Sequence, residues 1–310
     1  MIKISVIIPT YGRENILCET IKSVYARLQA IASQTCYEII VVDQTKQHSS
    51  YVNNFIRKCQ NEGVIKYIVE DFANLPNARN VGVKNSSGDI VVFLDDDVIL
   101  HENFFENILN RYSDKSIMSV VGLPILKNEN GENILLESQS RMKSIARTIL
   151  KALFCRKKSW VISKCGLQIC SDAKSKAGLV DAGRGCCMSF RREVFDIVGL
   201  FDSNYVGNAL REESDFFCRM KKNRLNVFFD PEVCLDHIMA NVGGCRSDKG
   251  EQYWKIYFDN QFYFYKKNFG FCKLYIVLLL VFDVIHLRRK KLDVFKLVDE
   301  SYKRALSFLS

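Results

Sequence analysis

The chain has 310 residues, of which 48% are hydrophobic and 25% charged, with only four prolines; it has the make-up of a globular protein with a real core, and it is neither disordered nor low-complexity. Its length suits one large α/β domain, or one domain plus a smaller C-terminal piece. The net charge of +9 favours an anionic partner, a phosphorylated ligand or an anionic membrane surface; nucleic acid is not expected, because no basic helix with interleaved aromatics stands near the N-terminus.

The N-terminus, Met1-Ile2-Lys3-Ile4-Ser5, enters a strand directly, with no signal-peptide apolar region. The β-branched run Lys3 to Pro9 predicts that strand, and the apolar spacing of Ile16, Leu17, Ile21, Val24 and Leu28 predicts a helix over Glu14 to Ile31. Further strands are expected at Glu38–Asp43, Val64–Val69 and Asp89–Leu94. Helices are expected at Tyr51–Cys59 and at Asn74–Asn85, the latter after a proline start and before Gly88. Strand–helix alternation at this spacing implies a parallel sheet with helices on both faces. The region from 123 to 178 gives weaker signals: a basic helix over Arg141–Lys158, then a loop with short strands to Ala177. Order returns at Gly178–Arg191, with helices at Val194–Phe201 and Glu212–Lys222 and a strand at Leu225–Phe229. The aromatic run Tyr253 to Tyr265 reads as helical packing or a membrane-facing surface. Leu274 to Phe282 is wholly apolar but too short to span a bilayer, which takes about 20 residues. With Arg288-Arg289-Lys290-Lys291 following, it is either an interfacial segment or a buried helix.

Twelve cysteines stand at irregular spacing. Neither the pair Cys186-Cys187 nor the set Cys155, Cys165, Cys170 makes a paired C-x-x-C zinc pattern, so reduced thiols are expected.

Ligands of such sheets lie beyond the carboxyl ends of the strands. Three predicted strands end in chemistry there: Pro9-Thr10-Tyr11-Gly12-Arg13, Asp43-Gln44-Thr45 and Asp95-Asp96-Asp97. Three adjacent carboxylates between apolar strings repel one another and need a cation or full solvation. No G-x-G-x-x-G follows the first strand and no G-x-x-x-x-G-K-[ST] occurs anywhere, so dinucleotide and P-loop folds are unsupported.

Taken in order, SVIIPTYGR, EIIVVDQT, NLPNARNVGVKNSSGDIVVFLDDD, GRGCCMSFRREVFDIVGLFD and REESDFFCRMKK resemble the segments of family 2 glycosyltransferases over about residues 3 to 240. The resemblance implies a GT-A fold: α/β, a single Rossmann-like mixed sheet flanked by helices. It also implies a domain over 1–240, with a nucleotide-binding half (1–100) and an acceptor half (101–240), and a C-terminal helical extension (241–310). It implies transfer from a nucleotide-sugar donor (a UDP-sugar or dTDP-rhamnose) to a glycan or lipid-linked saccharide acceptor, at the cytoplasmic face of the cell membrane. In that scheme Pro9, Tyr11 and Asp43 hold the nucleotide, with Asp43 reading the base unless it only makes a local turn. Arg13 and Arg79 meet base and diphosphate through their forked donors, or are surface arginines. Asp97 contacts Mn²⁺ or Mg²⁺, and Asp95 the metal or the ribose. Asp96 assists by field or hydrogen bond, and His237 is a third metal ligand or a plain loop histidine. Gly185 marks the acceptor side. Glu213 is the base that deprotonates the acceptor, with Glu212 the alternative, because the usual Glu-Asp pair of the family is Glu-Glu here. Asp215, on the same side, positions Arg219. Gly243-Gly244-Cys245-Arg246 is a lid over the diphosphate or a surface turn. A nucleotidyltransferase would want a glycine-rich basic loop after the first strand, which Pro9–Arg13 is not. A non-catalytic glycan-binding protein is opposed by the intact Asp95, Asp97 and Glu213.

Overall fold

A computed structural model describes residues 2–134, 160–163, 168–170, 176–239, 244, 250–270 and 294–307. The predicted helix over Arg141–Lys158, the apolar run Leu274–Phe282 and the basic cluster 288–291 lie outside the described residues, as do Gly243, Cys245 and Arg246.

The first hundred residues fold in the predicted order. Strand β1 (Lys3–Thr10) is buried along nearly its whole length, as a central parallel strand must be. It pairs in parallel with β2 (Cys36–Asp43) on one side and β4 (Ile90–Leu94) on the other, while β3 (Lys66–Val69) extends the sheet beyond β2. Helices α1 (Asn15–Ala30), α2 (Ser50–Asn61) and α3 (Leu75–Lys84) make the crossovers. Two of them are capped as their sequences suggest: Ser49 Oγ accepts from Val52 N, and Asn74 Oδ1 accepts from Asn77 N at 2.8 Å with Pro76 in the first turn.

After β4 the alternation ends and the sheet becomes mixed. Short strand β5 (Val98–Leu100), helix α4 (Phe104–Tyr112) and long strand β6 (Ile117–Lys127) follow. β7 (Trp160–Ile162) and β8 (Gln168–Cys170) form a separate two-stranded ribbon. β10 (Cys187–Arg191) inserts antiparallel between β4 and β6, and β9 (Gly178–Val180) lies against β11 (Asn226–Ile238). The main sheet runs β3-β2-β1-β4-β10-β6-β11-β5. Between β10 and β11 come α5 (Glu193–Val198), which stops at Gly199 (φ 76) short of the expected Phe201, and α6 (Glu212–Lys222), which matches its predicted bounds. β11 runs nine residues past the expected Phe229. Asp230-Pro231-Glu232 reads as a turn but is absorbed as an irregularity, with the register against β6 shifting between Phe229 and Cys234.

Two apolar layers cover the sheet. One packs α1, α2 and α4 through Leu17, Val24, Val52 and Phe105 against Ile8, Val41 and Val92. The other gathers Phe93, Phe190, Phe195, Phe201 and Phe216 in mostly edge-to-face contacts. Helix α7 (Glu251–Phe269) adds Tyr263, Phe264 and Tyr265 to this second cluster, and α8 (Val294–Ser307) packs on α7. Much of the aromatic run is therefore core. No helix among the described residues is long and apolar enough to cross a membrane.

Candidate active site

The C-terminal ends of β1, β2 and β4 meet at one edge of the sheet, as the parallel topology requires. They open into a cavity of about 540 Å³. Pro9, Tyr11 and Arg13 line it from β1, Gln44 follows β2, and Asp95, Asp96 and Asp97 follow β4; Glu213 and His237 reach it from α6 and β11. The opposite wall is Gly207, Asn208, Leu210, Gly244, Tyr253 and Ile256. Tyr253, expected to be packing, thus faces the cavity.

The three carboxylates have three environments. Asp97 is buried and takes Arg13 Nη2 on Oδ2 at 2.7 Å. Its Oδ1 is buried and pairs with His237 Nε2 at 2.9 Å. Asp96 is held by Arg13 Nε at 3.2 Å and more loosely by Tyr11 N at 3.4 Å; burial and the Asp97 charge, opposed by Arg13, push its pKa up to about 7. Asp95 is the half-buried member, 3.9 Å from both Arg79 Nη2 and His237 Nε2. Arg13 therefore clamps the acidic run itself. Backbone pairing brings His237 here: it registers with Val98, and Ile238 N donates to Asp97 O at 2.8 Å. Burial opposes a charge on His237, but Asp97, Cys186 and Asp95 raise its pKa to about 11.

A ligand atom from each of Asp95, Asp97 and His237 lies within 4.8 Å of the others. Two carboxylate oxygens and an imidazole nitrogen gathered this closely make a group able to hold a divalent cation.

Beside this triad the Glu212-Glu213 pair divides its work. Glu212 is fully buried and paired with Arg79 Nη1, and Arg79 also stacks over Phe201 at 5.5 Å. Glu213 faces the cavity, and burial holds its pKa above the ordinary glutamate value against the pull of Arg79 and the Gly185 N–H. Gly185 leaves room for these side chains: a Cβ there would strike Glu213 Oε1 and stand 2.6 Å from Arg79 Nη2. Of the expected acceptor-side residues Gly185 stands against Glu213, whereas Asp215 does not line the cavity. It is wholly buried on the far side of α6, bonded to Arg219 Nε at 3.1 Å, Lys267 Nζ at 3.0 Å and Asn268 Nδ2 at 2.8 Å. Its pairing with Arg219 is as the helical spacing predicts.

Asp43 does not line the cavity. Its Oδ1 takes Thr45 N at 2.7 Å, and its Oδ2 takes His48 Nε2 at 2.6 Å and Tyr67 OH at 2.8 Å. His48 Nδ1 lies 2.9 Å from Glu14 Oε1; burial works against its charge, but the two carboxylates raise its pKa. The sequence reading passed over His48, Tyr67 and Glu14; only the position of His48 just beyond a strand-end acid hinted at them. Gln44, the next residue, is the one that lines the cavity, with its amide nitrogen fixed on the Phe72 and Asn74 carbonyls. Gly244 N donates to Tyr11 O at 2.8 Å, sits against Arg13 and lines the cavity.

A parallel half-sheet joined to a mixed half, with an acidic edge and a facing carboxylate, is the architecture of the GT-A type. The chain belongs to glycosyl transferase family 2, an enzyme family whose model matches residues 5–197. Glu213 and His237 lie past the end of that match. Among similar proteins, the poly(ribitol-phosphate) β-N-acetylglucosaminyltransferase TarP of Staphylococcus aureus is 32% identical over 122 residues, 39% of this chain and 36% of TarP. The minor teichoic acid biosynthesis protein GgaB of Bacillus subtilis is 32% identical over 135 residues, 42% of this chain and 15% of GgaB. The chain thus spans about a third or less of these relatives. Glycosyltransferase AglE of Haloferax volcanii is 24% identical over 76% of this chain and 78% of its own length. Two solved structures share the fold. The Pyrobaculum calidifontis mannosyltransferase PcManGT, in complex with GDP-Man and Mn²⁺, has a TM-score of 0.54 at 15% identity, covering 84% of this chain and 61% of its own. GalNAc-T7 with UDP, GalNAc and Mn²⁺ has a TM-score of 0.55 at 17% identity, covering 86% and 50%.

Proposed function

We propose that this chain is an inverting glycosyltransferase that moves a sugar from a nucleoside-diphosphate sugar to a glycan or lipid-linked acceptor in surface-polysaccharide assembly. The observation that carries this reading is the placement of Asp95, Asp97 and His237 in one cavity with Glu213. Asp95, Asp97 and His237 would hold the cation, and an imidazole ligand favours Mn²⁺ over Mg²⁺. When bound, such an ion supplies Lewis-acid neutralisation of the charge that develops on the departing diphosphate. Pro9, Tyr11 and Gln44 flank the nucleotide end. Glu213 takes the proton of the acceptor hydroxyl as that oxygen attacks the sugar carbon. Its raised pKa makes it a stronger base than an exposed glutamate. Glu212, paired with Arg79, holds the arginine beside Asp95. A single base opposite the leaving group is the arrangement for one displacement with inversion.

The wall-polymer enzymes among the relatives and the apolar-basic sequence over 274–291 support work at the inner membrane face, with residues 241–310 as a helical extension of a transferase unit over 1–240. The test is release of nucleoside diphosphate from a panel of UDP-, dTDP- and GDP-sugars with Mn²⁺. Turnover of at least one donor, lost in Glu213→Gln, supports the reading; a folded protein that binds and turns over none contradicts it. A protein found wholly in the soluble cell fraction, unchanged when 271–310 are removed, contradicts the membrane placement.

A further inference from the structure

The carboxylate of Glu213 is aimed by a turn that is gripped from α7, outside the stretch the family model matches. Between Gly207 and Arg211 three of five residues are left-handed: Gly207 (φ 59), Ala209 (φ 47) and Arg211 (φ 78). Non-glycine residues hold such angles only where their surroundings over-determine them. This turn supplies cavity wall through Gly207, Asn208 and Leu210, and it delivers the chain directly into Glu212 and Glu213.

The over-determination comes from two buried amides of α7. Asn260 closes a two-way bond with the Val206 backbone, donating Nδ2 to Val206 O at 3.0 Å and accepting Val206 N on Oδ1 at 3.3 Å. It also gives Nδ2 to Asn208 Oδ1 at 3.1 Å. Gln261 Oε1 accepts Arg211 Nε at 2.8 Å, while the guanidinium donates to Tyr265 OH at 3.3 Å and lies over the Phe264 ring. Lys267 and Asn268 hold the same helix by Asp215 one turn further on. Amides in an otherwise aromatic helix core are costly unless bonded, and these are bonded to the turn that sets the base.

We propose that Asn260 and Gln261 are positioning residues for Glu213, acting through the 206–211 turn; the inference rests on the transferase reading above. The experiment compares Gln261→Leu, Gln261→Glu and Asn260→Ala in the full chain, using the donor that wild type turns over best. Expected is a fall in kcat of roughly 10- to 100-fold for Gln261→Leu and Asn260→Ala, the cost of a carboxylate displaced by about 1 Å. Donor KM and the affinity for UDP with Mn²⁺ should stay within about twofold, since the metal triad is held elsewhere. Gln261→Glu keeps the acceptor for Arg211 and should recover most of kcat. A kcat within about threefold of wild type in both disruptive variants overturns the proposal, as does a loss of kcat, nucleotide affinity and Tm together that Gln261→Glu does not reverse. If wild type turns over no donor, the transferase reading fails separately. Hydrogen exchange at amides 212–216 then decides: faster exchange in the variants supports the clamp, and unchanged exchange overturns it.

Discussion

Replacing Gly185 by alanine is the sharpest single perturbation of the proposed base. Gly185 is not in the left-handed region, so the change tests space rather than backbone freedom. The added Cβ would collide with Glu213 Oε1, stand 3.0 Å from Glu213 Cγ and 2.6 Å from Arg79 Nη2. An ordinary contact is 3.4 Å or more, so Arg79 Nη2 would have to retreat by about 0.8 Å and Glu213 Oε1 by somewhat more. Arg79 has little room to do so, being buried between Glu212 and Phe201. The displacement falls on the carboxylate, which faces the cavity. A misplacement near 1 Å costs about a hundredfold in turnover, or about 2.7 kcal/mol of transition-state stabilisation. Overpacking adds a stability loss of about 1–3 kcal/mol. The assay is kcat with the best donor, alongside calorimetric affinity for UDP with Mn²⁺, whose proposed ligands the added Cβ does not touch. The expected result is a large fall in kcat with nucleotide affinity little changed. A variant with wild-type kcat and wild-type Tm would refute the close packing on which the assignment of Glu213 depends.

Four further outcomes follow from the same geometry. Glu213→Gln should lower kcat by about 10²–10⁴-fold, the usual worth of a positioned base. Because burial raises the pKa of Glu213, its folded form holds a proton more tightly than the unfolded chain; it therefore detracts from stability once pH rises through that range, and Glu213→Gln should keep or raise Tm at neutral pH. The same shift puts the acid limb of the wild-type pH–kcat/KM profile above 4.5, and activity should fall as pH drops through it; a limb at or below 4.5 contradicts the assignment. Arg79→Met leaves Glu212 buried and unpaired, and chemical denaturation should show a loss of about 3–5 kcal/mol. Phe190→Ala empties the centre of the aromatic cluster, with a loss of about 3–5 kcal/mol by the same assay and no specific effect on donor KM.

How much of this was legible depended on range in sequence. The run VVFLDDD carries its own argument: a buried strand ending in charges that need a cation, and Asp95–Asp97 do sit at that edge. His237 was ambiguous because Asp230-Pro231-Glu232 looks like the end of a strand, whereas the pairing of β11 with β5 and β6 carries the strand past it. The division of labour between Glu212 and Glu213 is set by Arg79, 133 residues away, and nothing local to the pair reveals it. Asp43 was placed by position alone; its environment depends on Tyr67 from β3 and His48 from the following loop. Asn260 and Gln261 were hidden inside an aromatic run that reads as packing, although two adjacent amides in such a run were the available signal.

The most direct test of the central claim is calorimetric titration of UDP and dTDP, each with and without Mn²⁺, into wild type and Asp97→Ala. The account predicts that wild type binds one of the two, that binding requires Mn²⁺, and that Asp97→Ala loses it while remaining folded. Metal-independent binding, or equal binding by Asp97→Ala, would contradict the assignment of Asp95, Asp97 and His237 as the cation site.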